Sequence, residues 1–166
     1  MQGPLQRTGR SLRDLYEEHI QTVYRVAFLY VKNKPDSEDV VQDTFVQLIR
    51  QIQAGKVFDS PAHERAWLIV TASNTAKNLL RRRYRSDLDL ADYPELAAPA
   101  QRRGELLDAI CALPDPYKTV IYMFYYEGYS AKEIAGYLGV PAATVRTRLA
   151  RARKRLKLEL GGEPDA

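Results

Sequence analysis

The sequence predicts an all-α fold of two small helical domains joined by a linker. Three observations carry this. Apolar residues recur at helical spacing in one stretch after another. Residues 86–103 (SDLDLADYPELAAPAQRR) interrupt that pattern with Pro94, Pro99, Asp87, Asp89, Asp92 and Glu95. Residues 128–156 (GYSAKEIAGYLGVPAATVRTRLARARKRL) have the turn chemistry and spacing of a helix-turn-helix.

In that last stretch Ser130 and Glu133 make a capping box that starts a helix at Ala131. Ile134, Ala135 and Leu138 supply its apolar positions. Gly139 follows them, where a left-handed stop is cheapest for glycine. Pro141 suits the first turn of the next helix, since its missing N–H has no partner there anyway. Val145, Leu149, Ala152 and Leu156 then run down one face. Seven basic residues from Arg146 to Lys157 cover the others, against the single acid Glu159. A basic outer face opposite a buried one suits a DNA major groove. An ordinary helical hairpin with a solvated basic face is the plainer reading, but it requires neither the turn nor the charge.

The 166 residues suffice for one domain or two small ones, with a net charge of +4. Basic residues cluster at 81–85 and 146–157, and acids at 36–43 and 87–95. That asymmetry points to nucleic acid at the basic sites and a basic partner at the acidic one. Cys111 is the only cysteine, which excludes an intrachain disulfide and a cysteine-based metal cluster. His19 and His63 share no ligand-spacing motif, so no metal or cofactor is expected. No apolar run approaches the ~20 residues of a membrane span. The first residues lack the apolar core of a signal peptide. A soluble cytoplasmic protein is expected.

Residues 1–10 read as a loose tail. Ser11 can cap a helix to about Val31, with Leu12, Leu15, His19, Val23, Val26 and Tyr30 near one stripe. Asn33-Lys-Pro breaks it, and Asp36 or Ser37 starts a second helix that Gly55 ends. Its core face is Val40, Val41, Thr44, Phe45, Leu48, Ile49 and Ile52. Asp39 and Asp43 are one turn apart and point the same way. A solvated face, an oxygen-ligand metal site and a docking face for a basic partner all fit that pair. Residues 55–63 form a loop in which Val57 and Phe58 are either exposed or tucked beneath it.

Pro61 or Ala62 opens a third helix to about Tyr84. Trp67, Leu68, Val70, Thr71, Ala72, Ala76, Leu79 and Leu80 are candidates for burial. Asn74, Lys77, Asn78, Arg81 and Arg82 recur on one face, a mixture suited to phosphate contacts and base-edge hydrogen bonds. A solvated polar face is the plainer alternative. The linker follows. Its ~18 residues reach at most ~60 Å, or roughly 18 base pairs at 3.4 Å per step. Glu105 to Leu113 gives a helix stopped by Pro114. Asp115 caps another running through Tyr125, ended by Glu127-Gly128. The many tyrosines there read as core and rim packing. The final helix frays at Gly161-Gly162 into an acidic tail.

EDVVQDTFVQLI with AWLIVTASNTAKNLLRRR resembles region 2 of the bacterial sigma-70 family, and residues 112–156 (ALPDPYKTV to ARARKRL) resemble its region 4. Two such regions and a short linker resemble the extracytoplasmic-function (ECF, group IV) sigma factors. The resemblance implies region 2 at 11–85, a linker at 86–103 and region 4 at 104–160. It implies a non-enzymatic promoter-specificity subunit of RNA polymerase, monomeric when free and held by an anti-sigma factor. Asp39, Gln42, Asp43 and Phe45 correspond to the surface on the β′ clamp helices, and region 4 to a partner of the β flap. Lys56, Phe58 and Asp59 of the loop, with Asn74, Lys77, Asn78, Arg81 and Arg82, correspond to the reader of the −10 element. There a base is flipped into the loop's pocket, at a cost of about a few kcal/mol. Trp67 is then a core anchor or a wedge at the melted edge. Ala143, Thr144, Arg146, Thr147, Arg148 and Arg151 fall where the −35 element is met. Ala142-Ala143 departs from the family's frequent Gly-Thr, and Ala150 is smaller than usual.

Two other classes compete. A stand-alone helix-turn-helix regulator predicts a dimer and a palindromic site. A metal-dependent nuclease predicts cleavage through Asp39 and Asp43, without support from any triad, P-loop or histidine motif.

Overall fold

The computed structural model describes residues 10–86 and 105–159. All regular structure among them is helical, and the chain divides into two compact units. The linker reading lies outside the described residues except for Ser86, which ends a helix; the acidic tail lies outside them too.

The first unit packs α1 (Leu12–Val31), α2 (Lys34–Gln53) and α3 (Pro61–Ser86) mutually against one another. Ser11 and Asp14 close a capping box at the start of α1. The Ser11 backbone N–H, with its hydroxyl, holds the Asp14 carboxyl below its usual range. Leu15, Val23, Val26 and Ala27 of α1 meet Val40 and Leu48 of α2 and Leu68, Ile69, Ala72 and Ala76 of α3; each is at most 2% exposed. Leu12, placed in the stripe by its spacing, is 43% exposed at the helix end.

Asn33-Lys-Pro starts α2 earlier than its breaker residues suggest. Lys32 turns the chain in the left-handed region at φ 59°, and Asn33 becomes the N-cap. The Asn33 Oδ1 accepts the Asp36 N–H at 2.9 Å, and Pro35 sits in the first turn, where no donor is needed. Asp36 is buried and receives Arg83 of α3 at 2.6 and 2.7 Å. This pair ties the last turns of α3 to the start of α2. The tail reading needs correction at Arg10, which is anchored to α3 through Glu64.

The second unit contains α4 (Glu105–Cys111), α5 (Asp115–Ile121), a π-helical turn (Tyr122–Tyr126), α6 (Ala131–Leu138) and α7 (Ala142–Glu159). Ile110, Ile121, Met123, Ile134, Val145 and Ala152 are fully buried at its centre. Three boundaries differ from expectation. Helix α4 stops at Cys111, because Ala112 and Leu113 donate to the carbonyls three residues back in a tighter turn. Asp115 is the first residue of α5 rather than its cap; Tyr117 donates to the Pro114 carbonyl at 3.0 Å. The helix expected through Tyr125 widens after Ile121, with the Glu127 N–H reaching the Tyr122 carbonyl at 3.2 Å. The wider turn lets the Tyr122 and Tyr126 rings stack at 4.9 Å. The capping box of Ser130 and Glu133 and the left-handed Gly139 (φ 69°) both form. Pro141 lies just ahead of α7, and its carbonyl accepts from Thr144 and Val145.

Candidate nucleic-acid interfaces

Each unit carries its own candidate surface. On α7, Val145, Leu149, Ala152 and Leu156 are 0–7% exposed and face the unit's core. The opposite side presents Ala143, Arg146, Thr147 and Arg151, exposed, with Thr144 and Arg148 half-buried at the edges. All six predicted contact residues therefore share the outward half of one helix. Two further arginines of α7 behave differently. The Arg153 guanidinium lies 5.1 Å from the Phe124 ring and 5.5 Å from Tyr125, and its Nε donates to the Tyr125 hydroxyl at 2.5 Å. Arg155 lies 5.7 Å from the Tyr117 ring. These cations pack on the unit's own aromatic rim. The cluster of tyrosines just upstream was the signal for this.

In the first unit the loop before α3 folds onto the helix it precedes. The Phe58 ring lies 5.8 Å from Trp67 and edge-on to His63 at 5.3 Å. The Lys56 ammonium sits 5.5 Å from the Phe58 centroid and 5.4 Å from Trp67. Val57 is 69% exposed, whereas Phe58 and Trp67 are half-buried. Trp67 is thus neither a sealed core anchor nor a free wedge. Asp59 is exposed, and its backbone N–H donates to His63 Nδ1 at 3.2 Å. A cation over two partly open rings is a platform on which a nucleic-acid base can stack.

Beyond this platform a groove of about 640 Å³ runs between α2 and α3. Asn74, Asn78, Arg81 and Arg82 line it from α3, together with Thr71, Thr75 and Arg85. Lys77 is not among them: its ammonium lies 5.5 Å from the Tyr30 ring of α1. From α2 the groove takes Asp43, Val46, Gln47 and Arg50, with Gln47 donating to the Thr75 hydroxyl at 2.9 Å. The acidic face and the arginine-rich face, distinct in the sequence, therefore meet along one groove. Asp39, Gln42 and Asp43 are exposed on α2. Phe45 needs correction as a surface residue: it is 8% exposed and its ring packs 4.9 Å from Tyr16.

A buried polar node lies at the root of α3. His19 Nε2, 1% exposed as a residue, is 2.7 Å from Glu64 Oε1. The Arg10 guanidinium forks onto Glu64 at 2.9 and 3.2 Å and also contacts Glu18. Burial pushes the Glu64 carboxyl up, but the hydrogen bonds from Arg10 and His19 outweigh it and hold the group below the usual carboxylate range. Hydrogen bonding to Glu64, with Glu18 adding to it, raises Arg10 in turn. Spacing gave no hint of this node, because its partners are brought together only by folding.

A carboxyl depressed in the folded chain stabilises it above the ordinary glutamate pKa of about 4.3, and that contribution disappears as pH falls through the folded value. Glu64→Gln is therefore expected to lower the melting temperature at neutral pH, with the gap to wild type closing below about pH 4. Circular-dichroism melts across pH check this; a gap that stays constant down to about pH 3 contradicts the assignment.

Comparison with known proteins matches both units. The signature of sigma-70 region 2 matches residues 15–86 and that of sigma-70 region 4 matches residues 103–156. The chain is 33% identical over 159 residues to the ECF RNA polymerase sigma factor SigL of Mycobacterium tuberculosis, covering 90% of this chain and 88% of SigL. It is 31% identical over 156 residues to SigE of Mycolicibacterium smegmatis, where 87% of this chain spans only 59% of the relative. The solved structure of CnrH in complex with the cytosolic domain of CnrY is similar at 27% identity and a TM-score of 0.64, over 90% of this chain and 87% of that one. The chain belongs to the sigma-70 family of RNA polymerase sigma factors, in its extracytoplasmic-function group.

Proposed function

We propose that this chain docks on core RNA polymerase and directs it to promoters with a −10 and a −35 element. In this reading residues 11–85 bind polymerase and open the −10 element, 86–103 connect, and 104–160 read the −35 element. Asp39, Gln42 and Asp43 meet the β′ clamp, while the second unit is carried by the β flap. Lys56, Phe58 and Asp59 with Asn74, Asn78, Arg81 and Arg82 engage the opened strand, and Lys77 flanks them. Thr144, Arg146, Thr147, Arg148 and Arg151, beside Ala143, enter the major groove. The chain acts by binding, in the cytoplasm where its DNA and polymerase are. The observation that carries this is the outward basic face of α7 in a chain that also holds the region 2 platform of Lys56, Phe58 and Trp67.

Energetics explain the need for polymerase. Non-specific DNA binding by a single small module is typically ~10⁻⁴–10⁻⁶ M. Polymerase holding both units makes the second contact intramolecular and raises its effective concentration. Free chain is thus expected to bind promoters weakly and holoenzyme specifically. CnrH is seen bound to a protein domain; by the same logic a masking partner, an anti-sigma factor, keeps this chain from polymerase.

Arg146→Ala tests the −35 assignment. Loss of a bidentate base contact costs ~1–3 kcal/mol of discrimination at one base pair. Gel shifts with holoenzyme on a series of −35 variants are expected to show that loss at one position. An equal loss on every sequence would mean a phosphate contact only. Family membership disfavours the stand-alone dimeric regulator, which sedimentation of the free chain also addresses: a monomer and an asymmetric footprint are expected.

A further inference from the structure

We infer that His19, Glu64 and Arg10 form a positioning node that fixes the promoter-reading loop for recognition of the −10 element. The inference rests on the assignment of that loop in the proposed function and deepens it. The loop hangs from the first turn of α3. Glu64 N–H donates to the Ser60 carbonyl at 3.1 Å and His63 N–H to the Ser60 hydroxyl at 3.0 Å. His63 also accepts from the Asp59 backbone and packs against Phe58. Whatever fixes this turn therefore fixes Phe58 and its placement on Trp67.

The turn is pinned to α1 by charge and hydrogen bonding. His19 holds Glu64 at 2.7 Å from within the core, and Arg10 closes over the same carboxylate from the edge. His19 Nδ1 has no hydrogen-bond partner among the described residues. The ring's hydrogen bonding to Glu64 therefore runs through Nε2. Glu18, His19 and Glu64 place possible ligand atoms within 4.8 Å of one another, but the cation among them is Arg10 itself. A guanidinium fork fixes a carboxylate's orientation as well as its charge. An apolar residue would fill the space without setting the rotation of α3 about its axis.

The test uses the full chain with core polymerase on a duplex promoter and its single-base −10 variants. Open-complex formation is read by permanganate reactivity. Glu64→Ala is expected to reduce discrimination between the best and worst −10 base about tenfold, since small misplacements of a reading group are costly. Glu64→Gln, which keeps the His19 bond, is expected to retain most of it. Co-elution with polymerase and binding to a −35-only fragment stay at wild-type level. If Glu64→Ala does not fold, Arg10→Ala at the edge of the unit carries the same test. Folded variants that keep the wild-type discrimination ratio within about twofold overturn the positioning role and leave a stabilising contact only. A wild-type holoenzyme without −10 preference overturns the reading of the loop itself, and the inference with it.

Discussion

Replacing Asp39 and Asp43 together by arginine should abolish promoter-directed transcription while leaving the helical content unchanged. Both side chains are exposed on α2 and carry no structural duty there. The substitution reverses the local charge from −2 to +2 on a surface assigned to a basic partner. Close charge pairs across protein interfaces couple by about 1.5–7 kcal/mol, so losing two and replacing them by repulsion predicts more than a hundredfold weaker docking. Asp43 also lines the groove with Arg50, Arg81, Arg82 and Arg85, so Asp43→Ala serves as a milder companion. A pull-down with core polymerase checks the effect, and unchanged capture by a folded double variant refutes the docking role.

Phe58→Ala should reduce strand opening by roughly 5- to 150-fold, the range expected when one base loses about 1–3 kcal/mol of aromatic stacking. The ring is half-buried between Trp67, His63 and Lys56, and the loop supplies little of the core, so the unit stays folded. The deficit should persist at similar size on a template already unpaired at the −10 element, because the stack with the opened base is lost there too. A deficit confined to the duplex would place Phe58 in the opening step alone; no deficit on either template removes Phe58 from the site.

Local chemistry was readable from residue order wherever it acts within one turn. The Ser11 cap, the Ser130 capping box, Gly139 in its left-handed stop and the 4-3-4 apolar row of α7 are all set by neighbours in the chain. Boundaries went astray where one signal has two meanings. Asn33-Lys-Pro both ends a helix and begins one, and only the left-handed Lys32 made the two-residue turn possible. The π turn was hidden because residues Tyr122–Tyr126 are aromatic or apolar throughout, so no period shows there. Long-range polar contacts were not readable at all. Arg83 on Asp36 and Arg10 and His19 on Glu64 join residues 47, 54 and 45 positions apart. Lys77 shows the complementary limit: periodicity placed it with Asn74 and Arg81, but its ring partner Tyr30 decided which way it turned. Phe45 lies in the core face its spacing predicted, against Tyr16, and not on the docking surface that the resemblance implied.

The central claim is that this chain confers promoter specificity on RNA polymerase. Run-off transcription tests it most directly, with purified core polymerase and the chain's own upstream DNA as template. A discrete transcript that appears only when the chain is added, with start-site mapping that places paired −10 and −35 elements upstream, is the predicted result. No added transcript, together with failure of the chain to co-elute with core polymerase, contradicts it.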